Sequence, residues 1–277
     1  MIEISHLVKK YGDHYAVKDL NVRIEEGQIY GFLGPNGAGK STTMNMITGY
    51  LAPTAGTVKV DGFDIVKEPE KAKEHIGYLP EIPPLYSEMT VEEYLKFAAE
   101  LKRIPRKERA AQIEKAIKTA QLEDVRKRLI NNLSKGYKQR VGLAQAVLGD
   151  PETIILDEPT VGLDPAQIIE MRGLIRSLGK KHTVILSSHI LSEISAVCDD
   201  VLILSHGKLV ASDTTDNLGK LMEDKVTLHL TVKGDEAAIK GVLDAVDGVE
   251  NIEYTDSEEK GCVDVMIQSD PKTEVRE

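Results

Sequence analysis

An α/β fold on a largely parallel sheet is predicted by three features of the chain. Apolar runs at residues 28–33, 153–156 and 183–187 are short and lack polar alternation, as strands covered on both faces do. Residues 41–50, 107–122 and 165–178 read as helices placed between them. The first apolar run leads into a glycine-rich loop and then a helix.

The elements follow in order. Residues 2–5 and 20–24 alternate like half-exposed strands, and residues 57–61, set off by Pro53 and Gly56, return as another. Together they predict an antiparallel β edge beside the parallel sheet. Residues 76–79 read as a further strand. A mostly helical subdomain is expected over about residues 85–150. Thr90, with Glu92 and Glu93 in the following turn, opens its first helix, and residues 138–148 form its last. Residues 201–204 and 208–211 read as a closing hairpin around Gly207.

After Asn217 the pattern changes. Residues 226–232 alternate, 236–246 read as a helix, and 251–254 and 262–267 read as strands. That β-α-β-β order is the first part of a ferredoxin-like split unit. The expected division is a domain over 1–216 and a small accessory α+β region over 217–277. A full unit would add a helix and a fourth strand, so the tail is expected to be truncated at Glu277.

Composition narrows the function classes. The 277 residues suit one large or two modest domains, and 41% hydrophobic with 29% charged residues suits a packed core. Aromatics are 4% with no Trp, so the core rests on Leu, Ile, Val and Ala. A net charge of −10 argues against a nucleic-acid partner held by a broad basic surface. The basic stretches 103–109 and 126–128 read as solvated helix faces. Cys198 and Cys262 make neither a metal pattern nor a disulfide framework, which fits a reducing compartment. No signal segment and no run of roughly 18–20 apolar residues is present, so a soluble chain is expected and any transport role needs a separate membrane partner.

The glycine-rich loop carries the sharpest chemistry. Residues 34–42 read Gly34-Pro35-Asn36-Gly37-Ala38-Gly39-Lys40-Ser41-Thr42, which fits G-x-x-x-x-G-K-[ST]. Glycines let the backbone wrap phosphates, and N–H groups at the following helix N-terminus supply partial positive charge. Lys40 is expected to reach the β- and γ-phosphates and the Ser41 hydroxyl to join Mg²⁺. A P-loop NTPase core is therefore expected. Farther on, the apolar run at 153–156 ends in Asp157 and Glu158. Asp157 can hold Mg²⁺ through water, and Glu158 can polarise the attacking water. The plainer alternative is two acids capping a turn before Pro159.

These segments resemble the ATP-binding cassette family. Leu133-Ser134-Lys135-Gly136-Tyr137 is similar to its signature sequence, and Val161-Gly162-Leu163-Asp164 to its dimer-contacting loop. Ser187-Ser188-His189 looks like its switch histidine, and Tyr11 stands where the family places an adenine-stacking aromatic. The resemblance covers roughly residues 2–215. It implies ATP and Mg²⁺ as cofactors, with Glu158, His189 and Lys40 serving hydrolysis. It implies a second cassette, identical or different, whose ATP would meet Ser134, Gly136 and Asp164. It also implies a separate multi-helix membrane permease and a cytoplasmic, peripheral place on the inner face of the membrane. Plainer alternatives remain: Tyr11 as a packed surface aromatic, His189 as an ordinary buried histidine, and Ser134 and Asp164 as helix N-caps.

The chain departs from the family at three positions. Glu81, in Tyr78-Leu79-Pro80-Glu81, replaces the usual glutamine and is a candidate Mg²⁺ ligand. Lys135 and Tyr137 replace a glycine and a glutamine in the signature. The Tyr-Leu-Pro-Glu segment and the appended β-α-β-β region are similar to cassettes of bacterial export systems. Two other readings compete: a soluble cassette ATPase acting on ribosomes or DNA, and a regulatory cassette with little turnover.

Overall fold

Alternation of apolar and polar side chains builds the first sheet of the computed structural model. β1 (Ile2–Tyr11) pairs antiparallel with β2 (His14–Ile24), turning Ile2, Ile4, Leu7, Leu20 and Ile24 into the core. The pair runs farther than alternation predicts. Register shifts beyond Ile4 absorb the breaks in the pattern, and His6 takes a left-handed φ of 48° there. β3 (Ile29–Leu33) follows, buried at every residue but the last, and leads to α1 (Lys40–Ile47). β4 (Ala55–Val60) and the short β5 (Phe63–Asp64) complete a sheet of order β2-β1-β4-β5.

α2 (Pro69–Glu74), missed by periodicity because it is so short, leads into β6 (Ile76–Leu79). The helical subdomain contains α3 (Val91–Leu101), α4 (Arg106–Thr119) and α5 (Lys135–Val147). Thr90 caps α3 in a full capping box with Glu93. α5 begins earlier than the predicted residue 138, because Ser134 caps it by accepting the Tyr137 N–H. Gly136 therefore sits inside the first turn of the helix and not ahead of it.

β7 (Thr153–Leu156), α6 (Pro165–Gly179), β8 (Thr183–Ser188), α7 (Leu191–Ser195), β9 (Asp200–Ser205) and β10 (Lys208–Thr214) complete this part of the chain. The second sheet runs β10-β9-β3-β8-β7-β6, with β10 antiparallel to β9 and every other neighbour parallel. Phe32, Ile155, Ile185 and Leu202 of this sheet share a core with Met44 and Ile47 of α1 and with Ile2, Val58 and Val60 of the first sheet. Leu79, Leu156 and Leu186 stand side by side at the strand ends. The carboxyl ends of β3, β6, β7 and β8 thus meet on one edge, where crevices of open α/β sheets bind ligands.

The structure describes residues 1–215, 217, 226–243, 249–256 and 262–269 and divides into two compact units, Met1–Thr214 and Thr215–Glu277. The second unit holds β11 (Val226–Lys233), α8 (Glu236–Leu243), β12 (Val249–Asp256) and β13 (Cys262–Ser269). Its sheet order is β11-β13-β12, with β13 antiparallel to both neighbours, which splits the β-α-β pair. Ile239, Val265 and Ile267 form its core. The last turn predicted for α8, at 244–246, and the expected end at 277 lie outside the described residues. No described helix is long and apolar enough to cross a membrane.

Candidate functional site: a phosphate-loop cleft

Glycine shapes the loop between β3 and α1. Gly37 and Gly39 hold left-handed φ values of 81° and 103°. A Cβ on Gly39 would lie 2.6 Å from the Ala16 carbonyl oxygen, and one on Gly34 would lie 2.3 Å from that of Leu204. The loop closes only where those side chains are absent. Gly39 also caps α1 with no side chain, so the first amides of that helix have no side-chain acceptor.

The buried Lys40 follows at once. Its Nζ donates to the carbonyls of Gly34 at 2.7 Å and Pro35 at 3.3 Å and pairs with Glu158 Oε1 at 3.3 Å. Ser41 Oγ donates to Asp157 Oδ1 at 3.0 Å, so the first turn of α1 meets the end of β7. Ser187, at the end of β8, donates to the same oxygen at 2.6 Å and accepts the Glu158 N–H at 2.8 Å. Glu158 takes a left-handed φ of 47°, a conformation that costs an L-residue on the order of 1 kcal/mol and persists when neighbours fix it. Its second oxygen, Oε2, lies 3.1 Å from His189 Nδ1. Lys40, Glu158 and His189 therefore form one polar chain.

An open cleft of about 530 Å³ lies above these groups. Asn36 to Thr42, Glu81, Glu158 and His189 line it, together with Tyr11, His14 and Ala16. Gly34 and Pro35, at the start of the loop, do not line the cleft and contribute the carbonyls that hold Lys40. Tyr11 is half exposed, with Lys9 Nζ 5.2 Å from its ring centroid. Glu81 is exposed, and its backbone carbonyl accepts a bond from Gln139 Nε2 of α5 at 2.8 Å. Tyr78, on the strand before it, donates to Asn45 Oδ1, and burial followed by the Asp157 charge pushes its phenol above the ordinary value.

Ser134, Gly136 and Asp164 do not line this cleft. They gather at the N-termini of α5 and α6. Asp164 caps α6 by accepting the Gln167 N–H at 2.9 Å. A Cβ on Gly136 would strike the Gln167 side chain, and one on Gly162 would strike Lys135 Nζ. The capping alternatives for Ser134 and Asp164 thus describe real bonds, and both side chains remain exposed. Sequence reasoning gave no role to Ser187, Ala16 or Gln139. A serine closing an apolar strand was the one available signal for Ser187. Nothing in sequence marks the other two, since each acts across a long stretch of chain.

Residues 17–161 match the family model described as ABC transporter. The chain is 41% identical over 222 residues to the bacitracin transport ATP-binding protein BcrA of Bacillus licheniformis, covering 79% of this chain and 72% of that protein. It resembles cbiO1 of Clostridium perfringens, part of the ABC transporter complex cbiONQ, with a TM-score of 0.72 and 29% identity, over 79% of this chain and 90% of that one. It also resembles the dimeric, post-hydrolysis cassette MJ0796 bound to ADP and Pi, with a TM-score of 0.70 and 26% identity, over 78% of this chain and 99% of that one. With this sheet edge, this phosphate loop and these relatives, the chain belongs to the ABC transporter family as an ATP-binding, ATP-hydrolysing subunit.

Proposed function

We propose that the cleft binds ATP with Mg²⁺ and that hydrolysis there powers export through a separate membrane-spanning partner. The observation that carries this reading is the polar chain Lys40–Glu158–His189 set beside the Ser41–Asp157 contact at the mouth of the phosphate loop. Tyr11 stacks on adenine, and residues 34–42 wrap the phosphates. Lys40 faces the β- and γ-phosphates, where bound anion replaces part of its present pairing with carbonyls and Glu158. The Ser41 hydroxyl and the carboxylates of Asp157 and Glu81 are oxygen donors of the kind a hard cation takes, Asp157 acting through water. Mg²⁺ bound there neutralises charge that develops on the phosphates. Glu158 orients the attacking water and His189 bonds the γ-phosphate. Ser134 and Asp164, both exposed, together with the backbone at the buried Gly136, serve the ATP of a second cassette, identical or different.

The partner side of the proposal rests on exposed apolar residues. Tyr50 and Ile82, 83% and 82% exposed, edge a groove that also reaches Ser41, Glu81 and Asp157. Side chains this apolar and this exposed suit a protein contact. A permease docked there would place the chain at the inner face of the membrane and would feel the γ-phosphate through Glu81. The direction of transport follows from the resemblance of the Tyr78–Glu81 segment and the appended unit to bacterial export cassettes.

The test is phosphate release by the full chain with MgATP, run beside Lys40→Ala. Turnover in the parent, with nucleotide affinity lost in the variant, is the expected result. Nucleotide binding without turnover would favour a regulatory cassette.

A further inference from the structure

Two loops that carry the hydrolytic side chains meet on one buried carboxylate outside the cleft. Glu193 of α7 is 8% exposed, and its Oε2 accepts bonds from Thr160 Oγ1 at 2.6 Å and Ser188 Oγ at 2.9 Å. Thr160 and Ser188 are buried as well. Thr160 stands just past Glu158, and Ser188 immediately precedes His189. Ser188 Oγ also accepts the Ile190 N–H at 3.0 Å, so the chain is held on both sides of His189.

Glu193 is a poor choice for packing alone. A carboxylate withdrawn from water is costly unless paired or well bonded, and no ion pair involves Glu193 among the described residues. Its helix does not give way. Ile194 is fully buried, and a Cβ on Gly31 of β3 would lie 2.5 Å from it. Glu193 is thus a fixed anchor from which both loops hang.

We propose that Glu193 is a positioning residue for ATP hydrolysis. By holding residues 158–160 and 188–190 to one oxygen, it sets the 3.1 Å separation of Glu158 and His189. This rests on the reading that Glu158 orients water and His189 meets the γ-phosphate. Glu193 lines no part of the cleft and acts through those two side chains. The left-handed backbone at Glu158 relaxes more readily once Thr160 is released. A shift of about 1 Å in a reacting group can cost roughly 100-fold in rate.

The experiment is steady-state MgATP hydrolysis by the full chain, with affinity for a fluorescent ATP analogue measured separately. Glu193→Ala is expected to lower kcat about 10- to 100-fold while KM and analogue affinity stay within about threefold. Glu193→Gln, whose amide oxygen accepts both hydroxyls, is expected to keep most of the parental kcat. The double variant with His189→Ala is expected to lose less than the product of the two single losses. A Glu193→Ala kcat within about twofold of the parent, or independent multiplicative losses, overturns the proposal. A joint fall of kcat and analogue affinity also overturns it, because it marks a general support of the fold. Should Glu193→Ala fail to fold, Glu193→Asp, too short to reach both hydroxyls, is expected to show the same kcat loss. Parental turnover in that variant sinks the idea. An inactive parent chain instead removes the hydrolytic reading itself, and the proposal with it.

Discussion

Glu158 takes part in three relations at once: a left-handed backbone, an ion pair with Lys40 and a contact with His189. Replacing it by Gln keeps the size and one acceptor oxygen but removes the negative charge. Glu158→Gln is expected to slow hydrolysis by about 100-fold or more, with ATP binding retained. Phosphate release and nucleotide binding on the same preparation check it. An unchanged rate would remove Glu158 as the water-orienting group. Ser187 is different in kind, since its hydroxyl joins the two acids through Asp157 Oδ1 and the Glu158 N–H. Ser187→Ala leaves a buried N–H without its partner and is expected to lower stability by about 1–3 kcal/mol, read as a shift of the urea midpoint.

At the scale of elements, the helical subdomain is braced by one guanidinium. Arg126 bonds Glu92 of α3 at 2.9 Å and Glu114 of α4 at 2.8 Å. Arg126, and after it Lys96, hold the Glu92 carboxyl down to about 2. A depressed carboxyl stabilises the folded state above the ordinary value of 4.5 and loses that contribution as pH falls towards about 2. Part of the acid sensitivity of the protein should therefore come from this pair. Arg126→Met is expected to flatten the fall in stability between about pH 4.5 and pH 2, measured by urea denaturation across that range. An unaltered slope would show that Glu92 is held by other groups. Element boundaries were legible where the chain announces them, as with Thr90 and Glu93 at α3. They were not legible where tertiary contacts carry a strand through broken alternation, as in β1 beyond Ser5.

For the whole molecule, the separation of Ser134, Gly136 and Asp164 from the phosphate-loop cleft has a consequence. If these residues serve ATP held by a second cassette, a bulky charge on that face should block assembly and leave the cleft intact. Ser134→Arg is expected to abolish any ATP-dependent dimer of the Glu158→Gln chain while nucleotide affinity changes by less than about threefold. Size-exclusion chromatography with light scattering, with and without ATP, reads the outcome. A dimer that persists would detach the signature turn from the interface.

The phosphate loop was legible because its chemistry is contiguous: glycines, a lysine and a helix N-terminus lie within residues 34–42. Asp157, Glu158 and His189 were legible for a related reason, since each closes an apolar strand and strand ends mark the ligand edge of an α/β sheet. The sequence by itself thus determined the fold class and singled out the glycine loop and most of the acids that line the cleft. Tertiary structure alone decided which of these groups touch. It set Ser187 between the two acids, brought Ala16 against the glycine loop, tied Gln139 to Glu81, and hung the loops of Glu158 and His189 from Glu193. Local periodicity reports which face of a segment is buried. It carries no record of which distant segment will cover that face, because that choice is made by packing among many elements at once.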